Sequence, residues 1–133
     1  MISSESASRR RVRLAEAFKK ELSEIFLKDI QHPKLRSITV TQVEFDPLMQ
    51  MATIKVCKMM TGEFGEIDKV EEKEILKALN SARSFVFSKL RRSLSLRFMP
   101  DLQFKYDRSL AEASLLWSKM NAWSREQKPE VES

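Results

Sequence analysis

The chain is predicted to fold as an α+β domain, with a mixed three-stranded sheet and helices packed on one face. Three observations predict it. Apolar residues recur at helical spacing in four segments, branched and aromatic residues mark three strands, and the third strand is reached only through a helical crossover. The expected order is α-β-β-α-kink-α-β-α.

Leu14, Phe18, Leu22, Ile25 and Phe26 align as one apolar stripe and predict a helix from about Ser6 to Lys28, N-capped by Ser3, Ser4 or Ser6. His32-Pro33 ends it, because the residue before a proline is pushed out of helical geometry. Ile38 to Phe45 reads as a strand whose apolar phase slips between Val40 and Val43, which means a bulge or burial on both faces. Asp46-Pro47 makes a turn. Met51 to Met59 then forms a second strand with Ala52, Ile54 and Val56 on one face, and so short a connection implies an antiparallel hairpin. Residues 60–69 read as a loop. Its Gly62-Glu63-Phe64-Gly65 spells a phosphate clamp, but it lies between strand and helix and offers Glu63 and Glu66 where phosphate needs donors.

A helix is expected from Lys69 or Val70, with Glu71, Glu72 and Glu74 at the positive end of its dipole. Ile75, Leu79, Val86, Leu90 and Leu94 would form its apolar face. In an unbroken helix Arg83 would stand about 40° from Leu79 and about 20° from Leu90, inside that face. Phe85 would point to the polar side. A kink at Ala82, Arg83 and Ser84 is predicted to rephase the second half and resolve both conflicts. Met99-Pro100 closes this unit, and Leu102, Phe104 and Tyr106 alternate as the third strand. Ser109 is expected to cap a last helix carrying Ala113, Leu116, Met120 and Trp123 on one side, packed through Trp117 and Trp123. One folded domain is expected over residues 1–124, with a disordered polar tail over 125–133.

The 133 residues suffice for one core, and 42% hydrophobic content argues against a disordered chain. No apolar run approaches the roughly 20 residues needed to span a bilayer. The N-terminus lacks the apolar centre of a secretory signal, and helical phasing assigns Arg9, Arg10, Arg11 and Arg13 to the domain, not to a transit peptide. A cytoplasmic location is expected. Cys57 and His32 are the only residues of their kinds, so an intrachain disulfide and a Cys/His metal cluster are both excluded. Cys57 reads as a packing residue. No nucleophile stands near a base and no glycine-rich nucleotide loop occurs, so no catalytic residue, metal or cofactor is expected.

Charge placement says more than the net +5. From Ile75 to Pro100 there is no Asp or Glu, yet Lys77, Arg83, Lys89, Arg91, Arg92 and Arg97 fall there. Lys89, Arg91 and Arg92 spread around the helix, so some must face solvent. Arg97 and Lys105 extend the charge, and Arg10, Arg11 and Arg13 form a second cluster. Unpaired cations of this kind suit a phosphate backbone. The bland alternative is that they pair with Glu71, Glu72 and Glu74. Phe87 is either a core ring or a surface ring able to stack on a base. Three functional classes follow: an RNA-binding protein, a small RNA-processing enzyme, or a protein-interaction module built on the last helix.

Residues 9–124 resemble the ribosome-binding factor A family. The likeness lies in Arg10 to Leu22, in Ile38-Thr39-Val40-Thr41-Gln42-Val43-Glu44, and in Ala78-Leu79-Asn80-Ser81-Ala82-Arg83-Ser84-Phe85-Val86. It is most specific in Leu96-Arg97-Phe98-Met99-Pro100-Asp101-Leu102-Gln103-Phe104-Lys105-Tyr106-Asp107. The resemblance implies a type II KH-like fold in which an Ala-x-Gly kink replaces the usual Gly-x-x-Gly. Here the kink reads Ala82-Arg83-Ser84, a serine standing for the glycine. It also implies a monomer that binds the immature small (30S) ribosomal subunit. The expected role is non-catalytic support of late 16S rRNA maturation and processing, with no small-molecule substrate and no membrane.

Overall fold

The computed structural model describes residues 2–60, 63–64 and 67–127. Helix α1 runs Ile2–Lys28 and is followed by a single 3₁₀ turn, Pro33–Leu35. Strands β1 (Ile38–Phe45) and β2 (Met51–Met60) lead to a two-residue strand β3 (Glu63–Phe64). Helices α2 (Lys69–Ser81) and α3 (Arg83–Leu94), strand β4 (Asp101–Tyr106) and helix α4 (Ser109–Gln127) complete the chain. The α+β order is the one expected. Short β3, inside the expected loop, is an addition; Gly62 and Gly65 lie outside the described residues.

β1 pairs antiparallel with β2, and β4 pairs parallel with β2 from Met51↔Asp101 to Val56↔Tyr106. β3 pairs antiparallel at Met59↔Phe64 and Met60↔Glu63. The phase slip in β1 is a bulge: Val40 faces Val56 and Gln42 faces Lys55, leaving Thr41 as the extra residue. The one-residue offset brings Val43 back to the core side.

The core lies between the sheet and three helices. Phe18, Leu22, Ile25 and Phe26 from α1 meet Val40, Val43, Ala52, Ile54, Val56, Leu102 and Phe104 from the sheet. Phe18 and Phe45 make an edge-to-face pair with ring centroids 5.0 Å apart. Ile75, Ala78 and Leu79 from α2, with Val86 and Leu90 from α3, close the layer. Each fully buried aliphatic side chain here contributes roughly 1.5–3 kcal/mol.

Local caps set the element ends. Asp68 N-caps α2 by accepting from the Glu71 N–H at 2.8 Å. The Asp46 carboxylate accepts from the Gln50 and Met51 N–H groups at 2.6 and 2.7 Å and closes the β1–β2 turn. In that turn Met49 has a φ of 57°.

Three expectations about the helices are corrected. α1 starts at Ile2, so Ser3, Ser4 and Ser6 lie inside the helix and do not begin it. Ser109 lies within α4 as its first residue, and the Asp107 carboxylate accepts from both its N–H and its hydroxyl. α4 packs against β3, and its apolar stripe stays outside the core: Trp117 is 65% exposed and Trp123 is 64% exposed. α1, α2 and α3 already occupy the apolar face of the sheet. α4 extends to Gln127, and residues 128–133 of the expected tail lie outside the described residues.

Candidate RNA interface

The α2–α3 break falls at Ala82, which adopts φ −88° and ψ −2°. That bridge geometry opens the helical path by about 40° in ψ relative to an ordinary helix. The Ala82 N–H reaches the carbonyls of both Ala78 and Leu79 at 3.1 Å, and its carbonyl accepts from Val86 at 2.9 Å. Ser84 lies inside α3, and φ is positive at no non-glycine residue of the break, so the geometry does not call on glycine's freedom here. With the kink Arg83 is exposed, as predicted, and Val86 and Leu90 stay in the core. It does not bury Phe85, which remains 43% exposed with the Lys89 Nζ 5.6 Å from its ring centroid. Phe87 is half-buried and packs on the core.

The helix ends in a strained cap. Ser95 takes φ 50° and ψ 44°, the left-handed geometry that usually carries glycine. Beyond it the chain presents Arg97 and Phe98 to solvent, and Phe98 is 86% exposed. The sequence reading did not single out Phe98. The signal was its place in a segment with neither helical nor strand periodicity, which leaves a ring with nothing to pack against.

The three carboxylates offered as partners for the α3 cations are engaged elsewhere. Glu74 pairs with Lys34 at 2.6 Å, Glu72 with Arg108 at 2.9 Å, and Glu71 with Lys58. These contacts raise the pKa of Lys34 chiefly through its hydrogen bond to Glu74, and that of Arg108 chiefly through its hydrogen bond to Glu72. The remaining ion pair among the described residues joins Lys55 to Glu44 at 3.3 Å. Arg83, Lys89, Arg91, Arg92 and Arg97 enter none of the four, and all but the half-buried Lys89 are exposed.

The fold gathers some of the candidate residues and separates others. Arg10 and Arg11 border an apolar groove with Leu14, Pro47 and Met49, beside the β1–β2 turn. Arg83 lines a cleft with Asp101 and Leu102, and Asp101 donates its N–H to Gln50 O at 3.0 Å. Both sites therefore lie at one end of the sheet. Arg13 is exposed on α1. Arg91 and Arg92 flank a second cleft with Ser95 and Leu96. Lys105 is not part of this group: it alternates with buried Leu102 and Phe104 and so faces the opposite side of the sheet from the helices.

Cys57, Tyr106 and Asp107 serve the structure. Cys57 is buried, and burial pushes its thiol pKa up, away from nucleophilic character. The Tyr106 hydroxyl accepts from the Lys58 N–H at 3.0 Å, and burial pushes its pKa up to about 12. Asp107 is pushed up by burial, but hydrogen bonds from Ser109 and Thr41 outweigh this and hold it below the usual carboxylate range. Among the described residues no group of His, Cys, Asp and Glu side chains could hold a metal ion, and no helix is long and apolar enough to cross a membrane.

Fold and surface together define a small α+β domain that buries one sheet face under three helices and, among the described residues, leaves the cations of the third outside every ion pair. The model of the family described as ribosome-binding factor A matches residues 10–118. The chain belongs to that family. It is 35% identical over 103 residues to ribosome-binding factor A of Macrococcus caseolyticus, covering 77% of this chain and 84% of that one. The crystal structure of ribosome-binding factor A from Thermus thermophilus shares the fold with a TM-score of 0.61 at 22% identity, covering 74% of this chain and 98% of that one. A homology model of the same Thermus protein, fitted into the cryo-EM map of its 30S complex, gives a TM-score of 0.54 at 22% identity over 71% of this chain and 91% of that one.

Proposed function

We propose that this chain is a monomeric, cytoplasmic assembly factor that binds the immature small (30S) ribosomal subunit. It supports late maturation and processing of the 16S rRNA precursor by binding one RNA conformation, with no bond chemistry of its own. Family membership supplies the class of partner. The observation that carries the reading for this chain is the charge allocation: Glu71, Glu72 and Glu74 are taken by Lys58, Arg108 and Lys34, which leaves the α3 cations available to phosphates. Arg83, Lys89, Arg91, Arg92 and Arg97 form the main contact, with Arg10, Arg11 and Arg13 as a second one at the turn end of the sheet. Lys105, on the other face, is a separate contact if RNA wraps the sheet edge.

Co-sedimentation of purified protein with purified 30S subunits tests this. Saturable binding that weakens with salt supports it, and no pelleting at low salt overturns it. Incubation with precursor rRNA should leave the RNA intact, whereas cleavage by the protein alone would favour an RNA-processing enzyme. One observation favours a second reading. The exposed Leu116, Trp117, Met120 and Trp123 of α4 suit a protein partner, and on that reading charge changes on α3 leave the association untouched.

A further inference from the structure

Phe98 is the most exposed large apolar side chain among the described residues, with 86% of its surface open to solvent. One exposed apolar residue is ordinary on a protein surface. This one is set apart by how it is held and by what surrounds it. Leu96 and Met99 pack on the core and Pro100 is buried, so the chain is pinned on both sides of Arg97 and Phe98. α3 ends in the left-handed geometry of Ser95, and Pro100 restricts the backbone of Met99 before it. The two side chains therefore stand on a short tip whose backbone is already ordered, which lowers the entropy cost of binding through them. Among the described residues the Phe98 ring enters neither the aromatic pair, Phe18 with Phe45, nor the cation–π contact, Lys89 with Phe85. The ring is left to solvent.

The surroundings select the partner. Arg91 and Arg92 flank a cleft whose Ser95 and Leu96 lead directly into the tip, and Arg97 adjoins the ring. All three arginines are exposed, and none joins an ion pair among the described residues. An apolar protein patch laid over Phe98 would strip water from these guanidinium groups and offer them no counter-charge. A nucleic acid meets both demands, because phosphates neutralise the arginines while the face of a base covers the ring. Inside a duplex the base faces are already stacked on one another. The base that a surface ring can take is an unpaired one, in a loop, a bulge or a strand end. Stacking asks only for a π-face, so it carries no base identity.

We propose that Phe98 stacks on one unpaired base of the RNA that the α3 cations hold, with Arg97 on an adjoining phosphate. The assignment deepens the RNA-binding reading and rests on it. The test uses the full chain and purified 30S subunits. Phe98→Leu keeps an apolar side chain and removes the ring. It should bind roughly tenfold more weakly with an unchanged salt dependence, since no charge is lost. Arg97→Gln should instead lower the log–log salt slope by roughly 0.7 to 0.9. Both variants should keep the parent's circular dichroism, because neither side chain lies in the core. Short-wavelength ultraviolet irradiation of the parent complex, then trypsin and mass spectrometry, should find a nucleotide joined to the peptide that starts at Phe98. Phe98→Leu should lose that adduct. Parent-like affinity in Phe98→Leu would overturn the stacking site and leave the RNA-binding reading standing. Weakened binding with no RNA adduct on that peptide in the parent would put the ring against a protein of the subunit and overturn the base assignment. Failure of the parent to bind the subunit at all would overturn the functional reading beneath it.

Discussion

Replacing Arg91 and Arg92 with glutamine removes two charges from the solvent side of α3 and leaves its core side, Val86 and Leu90, untouched. Five cations on α3 and the following loop lack a carboxylate partner among the described residues: Arg83, Lys89, Arg91, Arg92 and Arg97. If each neutralises one phosphate, log affinity falls with log salt at a slope of roughly 3.5 to 4.5. Between 50 and 200 mM salt that is a loss of roughly 100- to 500-fold, and the double variant, with three contacts left, should lose only roughly 20- to 40-fold. The assay is equilibrium binding to 30S subunits at four or more salt concentrations. Lys34→Gln/Arg108→Gln removes the same net charge from cations already engaged by Glu74 and Glu72, so its slope should stay near the parent value. An unchanged slope in the Arg91/Arg92 variant would refute the reasoning. If Trp117→Ala and Trp123→Ala also abolished binding, the interface would move to α4.

Other consequences concern stability. Ser95→Gly should relieve the left-handed cap and raise the thermal midpoint by roughly 3 °C, since the conformation costs a non-glycine residue about 1 kcal/mol and glycine's extra unfolded-state entropy returns part of it; a lower midpoint would contradict that cap. Trp117→Ala and Trp123→Ala should each change stability by less than about 0.5 kcal/mol, because both rings are exposed, whereas losses above about 2 kcal/mol in denaturant melts would mean the rings pack. The depressed pKa of Asp107 gives a stabilising contribution that is full above the unfolded value near 3.9 and is lost as pH falls through the lower folded value. The gap between the parent and Asp107→Asn in urea midpoints should therefore shrink as pH drops below about 4, and a gap independent of pH would rule out this role.

The fold was legible where one-dimensional periodicity and burial coincide. Phe18 and Leu22 on one helical stripe, and Leu102 and Phe104 on one strand face, are buried as their spacing implies. The slip between Val40 and Val43 left two readings, and pairing with β2 decided for the bulge, where the Thr41 hydroxyl meets the Lys55 carbonyl and the Asp107 carboxylate. The fate of α4 was not legible. An apolar stripe states that a helix can bury one face, but not whether any apolar sheet surface is left for it. Ion pairing was equally hidden. Glu71, Glu72 and Glu74 find Lys58, Arg108 and Lys34 through contacts that only the assembled sheet and helices create. The facing of Lys105 was hidden too: close in sequence to the basic run, it is carried by strand alternation to the far side of the sheet.

The central claim is that the cations α3 leaves unpaired hold this chain on the small ribosomal subunit before translation begins. Gradient sedimentation of tagged protein from growing cells, under gentle salt, tests it most directly. The account predicts co-migration with free small subunits and absence from translating ribosomes, with the Arg91→Gln/Arg92→Gln variant shifted toward the top of the gradient. Unmodified protein found only at the top would contradict it.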